Sequence, residues 1–246
     1  MDVKIFTTES EAAAAAGEFI NSYVSSKPEA VLGLATGSTP LSLYNEMIKG
    51  CKAGVDYSKV TTFNLDEYLG LPGDHKQSYR NFMNRNLFTK ININPENTHV
   101  PDGMADDPVR ECARYEAMIQ ASGGIDIQIL GIGSNGHIGF NEPPSAFDSR
   151  TRVINLTEQT IKDNSRFFDS IDLVPRQAIS MGVGTILDAG SIILLNYGRS
   201  KAQALKRAVE KAPDIMNPAS ALQLHTKVAF YMDEASASSL TKQHKT

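Results

Sequence analysis

The segment GIGSNGHIGFNEPP, from Gly131 to Pro144, delivers His137 and Glu142 within one short loop. A histidine moves protons near neutral pH. It does so best when a carboxylate fixes its tautomer and supports the imidazolium. His137 emerges beside Asn135, and Gly133 and Gly136 permit backbone conformations closed to other residues. Such a chain can turn sharply and pass close to a ligand. The plainer alternative is a histidine hydrogen-bonded within a glycine-rich turn. An apolar run, Ile125–Leu130, directly precedes the loop, which places His137 at the end of an expected strand.

Three other strand ends carry chemistry. Val60–Leu65 leads into Asp66-Glu67-Tyr68. Adjacent side chains on an extended chain point to opposite sides, so one acid can enter a cleft while the other meets solvent or a helix end. A simple cap for a turn or helix is the alternative. Val31–Ala35 leads into Thr36-Gly37-Ser38-Thr39, three hydroxyls around a glycine before a helix opened by Pro40. Unpaired N–H groups at a helix start suit a phosphate; an ordinary helix start capped by Thr39 fits the same residues. The turn lacks the Gly-Lys-Ser/Thr ending of a nucleoside triphosphate loop. Ser191–Tyr197 leads into Gly198-Arg199-Ser200-Lys201, where Lys201 adds a cation, and Arg166 in Asn164–Phe168 supplies another. Alone, each charge reads as a solvated surface group. Together, beside an acid–base group, they point to proton transfer on a small phosphorylated metabolite. Of the other histidines, His99 and His225 read as structural, His75 as a group at the site rim, and His244 as part of the tail.

The elements that must position these residues alternate. Strands are expected at 3–7, 30–35, 60–65, 125–132, 150–156, 178–183, 191–197 and 227–232. Helices are expected at 10–25, 40–53, 78–88, 108–122, 158–168 and 200–211. This alternation predicts an α/β chain with a Rossmann-like, doubly wound, mostly parallel sheet covered by helices on both faces. Ligands bind such sheets at the carboxyl ends of the strands. With 246 residues, 41% of them apolar, the chain can bury a sizeable core. No linker or repeat divides it, so residues 1–246 are expected to form one domain, with 234–246 a loose tail. A net charge of -4 argues against general nucleic-acid binding. Cys51 and Cys112 are the only cysteines, and no Cys/His cluster suggests a metal. MDVKIFTTES lacks the pattern of a signal peptide, and no apolar run reaches the length of a membrane span. A soluble cytoplasmic protein is the expectation.

Taken in order, Ala35–Pro40, Phe63–Tyr68, Gly131–Pro143, Asn164–Phe168 and Leu222-Gln223-Leu224-His225 resemble the glucosamine-6-phosphate deaminase family, over nearly the whole chain. The resemblance implies conversion of glucosamine 6-phosphate and water to fructose 6-phosphate and ammonia, with neither metal nor organic cofactor. Position by position, it makes Asp66 the acid that shuttles a proton between C2 and C1. It makes His137 the base for ring opening and Glu142 the carboxylate that orients it. Thr36, Gly37, Ser38, Thr39, Arg166 and Lys201 match the family's phosphate-binding elements.

Two departures stand out. Many members carry Asp where this chain has Asn135; an amide still hydrogen-bonds there but adds no charge. Members regulated as hexamers by N-acetylglucosamine 6-phosphate carry a lysine two residues after the arginine matched by Arg152. Here that position is Ile154, and the tail is short. A monomer without that regulation is therefore expected. The related enzyme reading is 6-phosphogluconolactonase, which needs no carboxylate at the position of Glu142. A sugar-phosphate sensor is a third reading, and it would discard the acid–base residues that this chain keeps.

Overall fold

The computed structural model describes residues 1–241, apart from the side chain of Asp163. The strands are β1 (Asp2–Phe6), β2 (Val31–Leu34), β3 (Thr61–Asn64), β4 (Asp66–Tyr68), β5 (Thr98–His99), β6 (Ile127–Gly131), β7 (Arg152–Asn155), β8 (Gln177–Ser180), β9 (Ser191–Asn196) and β10 (Val228–Asp233). The α-helices are α1 (Glu9–Ser26), α2 (Leu41–Lys52), α3 (Tyr79–Asn86), α4 (Pro108–Ala121), α5 (Glu158–Asn164), α6 (Val183–Leu187) and α7 (Ala202–Glu210).

Seven strands form a parallel sheet in the order β1-β10-β9-β6-β2-β3-β5. Its interior strands are apolar on both sides because both sides are covered. Ile127, Ile129, Ile193 and Leu195 pack with α1, α2 and α3. Leu130, Ile192 and Leu194 pack with α4, α6 and α7 on the opposite face. The chain winds from β2 outward to β3 and β5, but from β6 outward in the other direction to β9 and β10. The order therefore reverses between β2 and β6, and a crevice opens there at the carboxyl ends of the strands. The loops after β2 and β6 are the two that carry Thr36–Thr39 and His137.

The doubly wound fold is the one expected, with differences. The expected strands at 150–156 and 178–183 lie outside the parallel sheet. They form β7 and β8 of a separate antiparallel sheet, β4-β8-β7, in which Asp66 and Arg152 both stand opposite Ser180. Residues after Ser180 leave the strand and enter α6. Pro40 stands at the N-cap of α2, one place before the first helical residue, and no side chain caps that helix. The expected helix at 158–168 ends at Asn164 and tightens into a 3₁₀ turn over Ser165–Phe167. The expected loose tail is anchored in its first part: Ser236, Ala237 and Leu240 are buried, and Ala237 and Leu240 join the core. Residues 242–246 and the reading of His244 lie outside the described residues.

Candidate active site

Asp66 and Glu67 are neighbours with opposite surroundings. Strand alternation turns Glu67 away from the cleft and toward the start of α3. Its Oε1 accepts from the N–H of Tyr68 at 2.9 Å and of Tyr79 at 2.8 Å, and its Oε2 from Arg80 N–H at 2.9 Å. It thus satisfies donors that the helix start leaves open. Asp66 is equally buried, at 6% exposure, yet its carboxyl has no hydrogen-bond or ion-pair partner among the described residues. Burial, with the charge of Glu67 adding to it, pushes the Asp66 carboxyl up to about 8.

The loop after β6 folds around its histidine. A β-carbon at Gly133 would collide with the His137 ring, so only glycine admits the ring there, and Gly136 takes φ +92°. Asn135 Oδ1 lies 2.7 Å from His137 Nδ1, and Asn135 Nδ2 donates to Glu142 Oε2 at 2.5 Å. Glu142 Oε1 is 3.4 Å from the same Nδ1. A carboxylate only accepts, so it fixes the amide with Nδ2 toward Glu142 and Oδ1 toward the ring. Oδ1 then requires a proton on Nδ1. The lone pair is left on Nε2, which has no partner among the described residues. The carboxylate therefore bears on the histidine both through the amide of Asn135 and across 3.4 Å to Nδ1 itself. Burial pushes the Glu142 carboxyl up, but hydrogen bonds and charge at His137, with Asn135 and Thr160, outweigh it and hold the group at about 2.

The two strand ends meet. Phe140 N–H donates to Ser180 Oγ at 3.2 Å, on the residue that stands opposite Asp66. A β-carbon on Gly139 would stand 3.4 Å from Asp66 Oδ2. Asn141 ties the loop further: Nδ2 donates to the carbonyls of Ile138 and Met181, and Oδ1 accepts from Arg152 at 2.9 Å. Arg152 is thus engaged with the loop, while Ile154 packs on the apolar cluster around Tyr68 and Ile161.

A cleft of about 920 Å³ opens where these strand ends meet. Asp66, His137, Glu142, Thr36, Gly37, Ser38, Thr39, Arg166 and Lys201 line it. Asn135 does not, and stands at the Nδ1 edge of the histidine instead. Thr39 does not cap α2; its Oγ1 accepts from Lys201 Nζ at 3.0 Å. Burial lowers the Lys201 pKa, and neither Lys201 nor Arg166 has an ion-pair partner among the described residues. The hydroxyls of Thr36, Ser38 and Thr39 and these two cations line the same cleft, a chemistry that can hold a dianion. His75 stacks on the lining residue Phe168, at the rim. His99 packs on Phe63 and His225 bonds the Ala189 carbonyl, both away from the cleft.

Several lining residues were not read from the sequence. Lys76 and Arg85 add cations from the α3 side, and Tyr68, Tyr79, Phe140 and Phe168 form an aromatic wall beside Asp66. Their segments show no pattern that separates them from core or surface residues. Thr160, whose hydroxyl reaches Glu142, carries a faint signal as the third residue after the helix-starting Thr157.

Among the described residues no group of three or more His, Cys, Asp or Glu could hold a metal ion. No helix among them is long and apolar enough to cross a membrane.

Known proteins share this arrangement of chain. A solved structure described as a monomeric glucosamine-6-phosphate deaminase superimposes with a TM-score of 0.94 at 44% identity, covering 97% of this chain and all 100% of its own. A glucosamine-6-phosphate deaminase of Shewanella loihica is 55% identical over 98% of this chain and 90% of its own length. 6-Phosphogluconolactonase from Trypanosoma cruzi shares the fold, with a TM-score of 0.78 at 21% identity. The family model for glucosamine-6-phosphate isomerases and 6-phosphogluconolactonases matches residues 7–231, a span that holds every cleft residue named above, and to that family the chain belongs.

Proposed function

We infer that the protein is a glucosamine-6-phosphate deaminase, releasing fructose 6-phosphate and ammonia from glucosamine 6-phosphate and water. One observation carries the reading of the site: a buried, unpartnered carboxyl at Asp66 faces the same cleft as a histidine whose tautomer is fixed. His137 exchanges a proton with the ring oxygen through Nε2 and opens the sugar. Asp66 then lifts the proton from C2 and returns it to C1, which leaves an iminium at C2. Water adds to that carbon and ammonia leaves. The raised Asp66 carboxyl makes its carboxylate a stronger base toward the C2 proton than an ordinary aspartate, and its acid form can return that proton to C1. Lys201, Arg166 and the Thr36–Thr39 turn hold the phosphate, and Glu142 and Asn135 hold the histidine.

The segment after the histidine favours deamination over lactone hydrolysis, because it builds a carboxylate–amide–imidazole array. Ammonia release from glucosamine 6-phosphate, assayed beside hydrolysis of 6-phosphogluconolactone, tests this directly. Turnover of the lactone alone overturns the reading. Inorganic phosphate should compete with the substrate, and Lys201→Ala should raise KM for glucosamine 6-phosphate far more than for any residual activity on glucosamine.

The protein acts as a single-domain monomer in the cytoplasm. The structural relative described as monomeric, and Ile154 in place of the regulatory lysine, support the monomer. Light scattering on the eluting protein, with and without N-acetylglucosamine 6-phosphate, checks it.

A further inference from the structure

The His137 array does not end within its own loop. Glu142 receives hydrogen bonds from two directions. Asn135 approaches Oε2 from the loop itself, and Thr160 Oγ1 approaches Oε1 at 3.0 Å from α5. Thr160 Oγ1 also lies 2.9 Å from Thr157 Oγ1. The polarity of this chain is fixed, since the carboxylate can only accept. Thr160 gives its single hydroxyl proton to Glu142, so Thr157 must donate to Thr160. Thr157 Oγ1 in turn accepts from Thr160 N–H at 3.1 Å and caps the helix.

The same short element leads to Arg166. α5 runs from Glu158 to Asn164 and continues without a break into the turn Ser165–Phe167, which holds Arg166. Thr160 and Arg166 both line the cleft. Any shift of this segment that follows capture of an anion by Arg166 also moves the hydroxyl that steadies Glu142.

We propose that Thr160 is a positioning residue of the deamination, joining the segment that carries Arg166 to the Glu142–Asn135–His137 array. A phosphate held by Arg166 thereby sets the geometry of proton transfer at His137. The role rests on assigning His137 to acid–base work, and the wild-type ammonia assay decides that assignment independently of any Thr160 variant.

Thr160→Val removes the hydroxyl and keeps the shape; Thr160→Ser keeps the hydroxyl. Ammonia release from glucosamine 6-phosphate should show kcat lowered on the order of 10-fold in Thr160→Val, the scale of one hydrogen bond to a charged group. KM should stay within about 2-fold, and Thr160→Ser should restore kcat. In an Arg166→Ala background Thr160→Val should cost much less, because the two residues act as one unit. If Thr160→Val does not fold, Thr160→Ala takes its place. Wild-type kcat in the variant, equal losses in Thr160→Val and Thr160→Ser, or a loss confined to KM overturns the positioning role. Full additivity with Arg166→Ala overturns the coupling.

Discussion

The start of β4 and the loop after β6 each present a carboxylate to the same cleft, Asp66 buried and Glu142 half-buried, and their surroundings drive them apart. Asp66 has no donor and is pushed up to about 8; Glu142 has Asn135, His137 and Thr160 around it and is held at about 2. Both pay a desolvation penalty, the deeper one at Asp66; the charge of Glu67 adds to it there, whereas hydrogen bonds and the charge of His137 outweigh it at Glu142. An unpartnered carboxyl takes and gives protons near neutral pH, whereas a saturated one stays ionised and can only orient its neighbours. Glu67 sharpens the point. It is joined directly to Asp66 and also buried, and although three backbone N–H groups occupy it, burial still raises its carboxyl, so hydrogen bonds alone do not offset full burial.

The harshest way to break this contrast is Asp66→Asn. It keeps the shape and removes the base, so the rate should fall roughly 10²–10⁴-fold, the range for a general base. Stability should move the other way. Between the ordinary carboxylate value near 4 and about 8, the folded protein holds a proton on Asp66 that the unfolded chain releases. Wild-type stability therefore falls as pH rises through that window. The variant escapes the fall and should gain on the order of a few kcal/mol over wild type at pH 8, with no gain at pH 4. Urea unfolding at both pH values checks this, and an equal offset at the two would show that Asp66 does not titrate in that window.

Glu67→Gln tests the second cause of the raised value. Removing the like charge beside Asp66 favours its ionised form, so the acid limb of kcat/KM against pH should move from near 8 to lower pH. The amide oxygen can still accept from Tyr68 and Tyr79, but the Arg80 N–H loses its acceptor. About 1–2 kcal/mol of stability should go with it. An unmoved limb would mean that burial alone sets the Asp66 value.

Much of this frame was legible in the sequence. The run Ala30–Ala35 is apolar throughout because helices cover both sheet faces, and Ile125–Ile132 keeps an apolar frame around Asp126 and Gln128. The residues beyond those runs include Asp66, His137, Thr36–Thr39 and Lys201, all of which line the cleft. The small antiparallel sheet was not legible. β4 is only Asp66–Tyr68, and what pairs it with β8 is the path of the intervening chain rather than any local pattern. Nor could the sequence say which of two hydrogen bonds Thr39 would make. A cap on α2 is a local choice, and the observed bond comes from Lys201, far away in the chain. Lys76 and Arg85 reach the cleft from segments whose charges look like any solvated surface.

The mildest change, Asn135→Asp, asks whether the Glu142 side depends on an amide or only on some hydrogen-bonding group. In the wild type the Asn135 Nδ2 donates to Glu142 while its Oδ1 faces His137 Nδ1. An aspartate can keep the contact to the ring, but it has no donor for Glu142. Two carboxylates then share the 2.5 Å contact that the amide and Glu142 make now. Like charges that close do not both stay ionised, so the pair should hold on to a proton at a pH where Glu142 alone has none. The wild-type Glu142, held at about 2, contributes stability that is complete above the ordinary glutamate value and lost as pH falls toward about 2. In Asn135→Asp the depression is relieved, and that contribution shrinks across the whole range above pH 5. The expected cost is about 1 kcal/mol, or roughly 2–4 °C in melting temperature for a chain of this size. The gap should narrow as pH is lowered from 5 toward 3, because the wild-type contribution is lost progressively between the ordinary glutamate value and about 2. A melting curve series from pH 3 to pH 8 decides. A constant gap at every pH would show that the amide matters for packing alone, and that Glu142 owes its low value to His137 and Thr160.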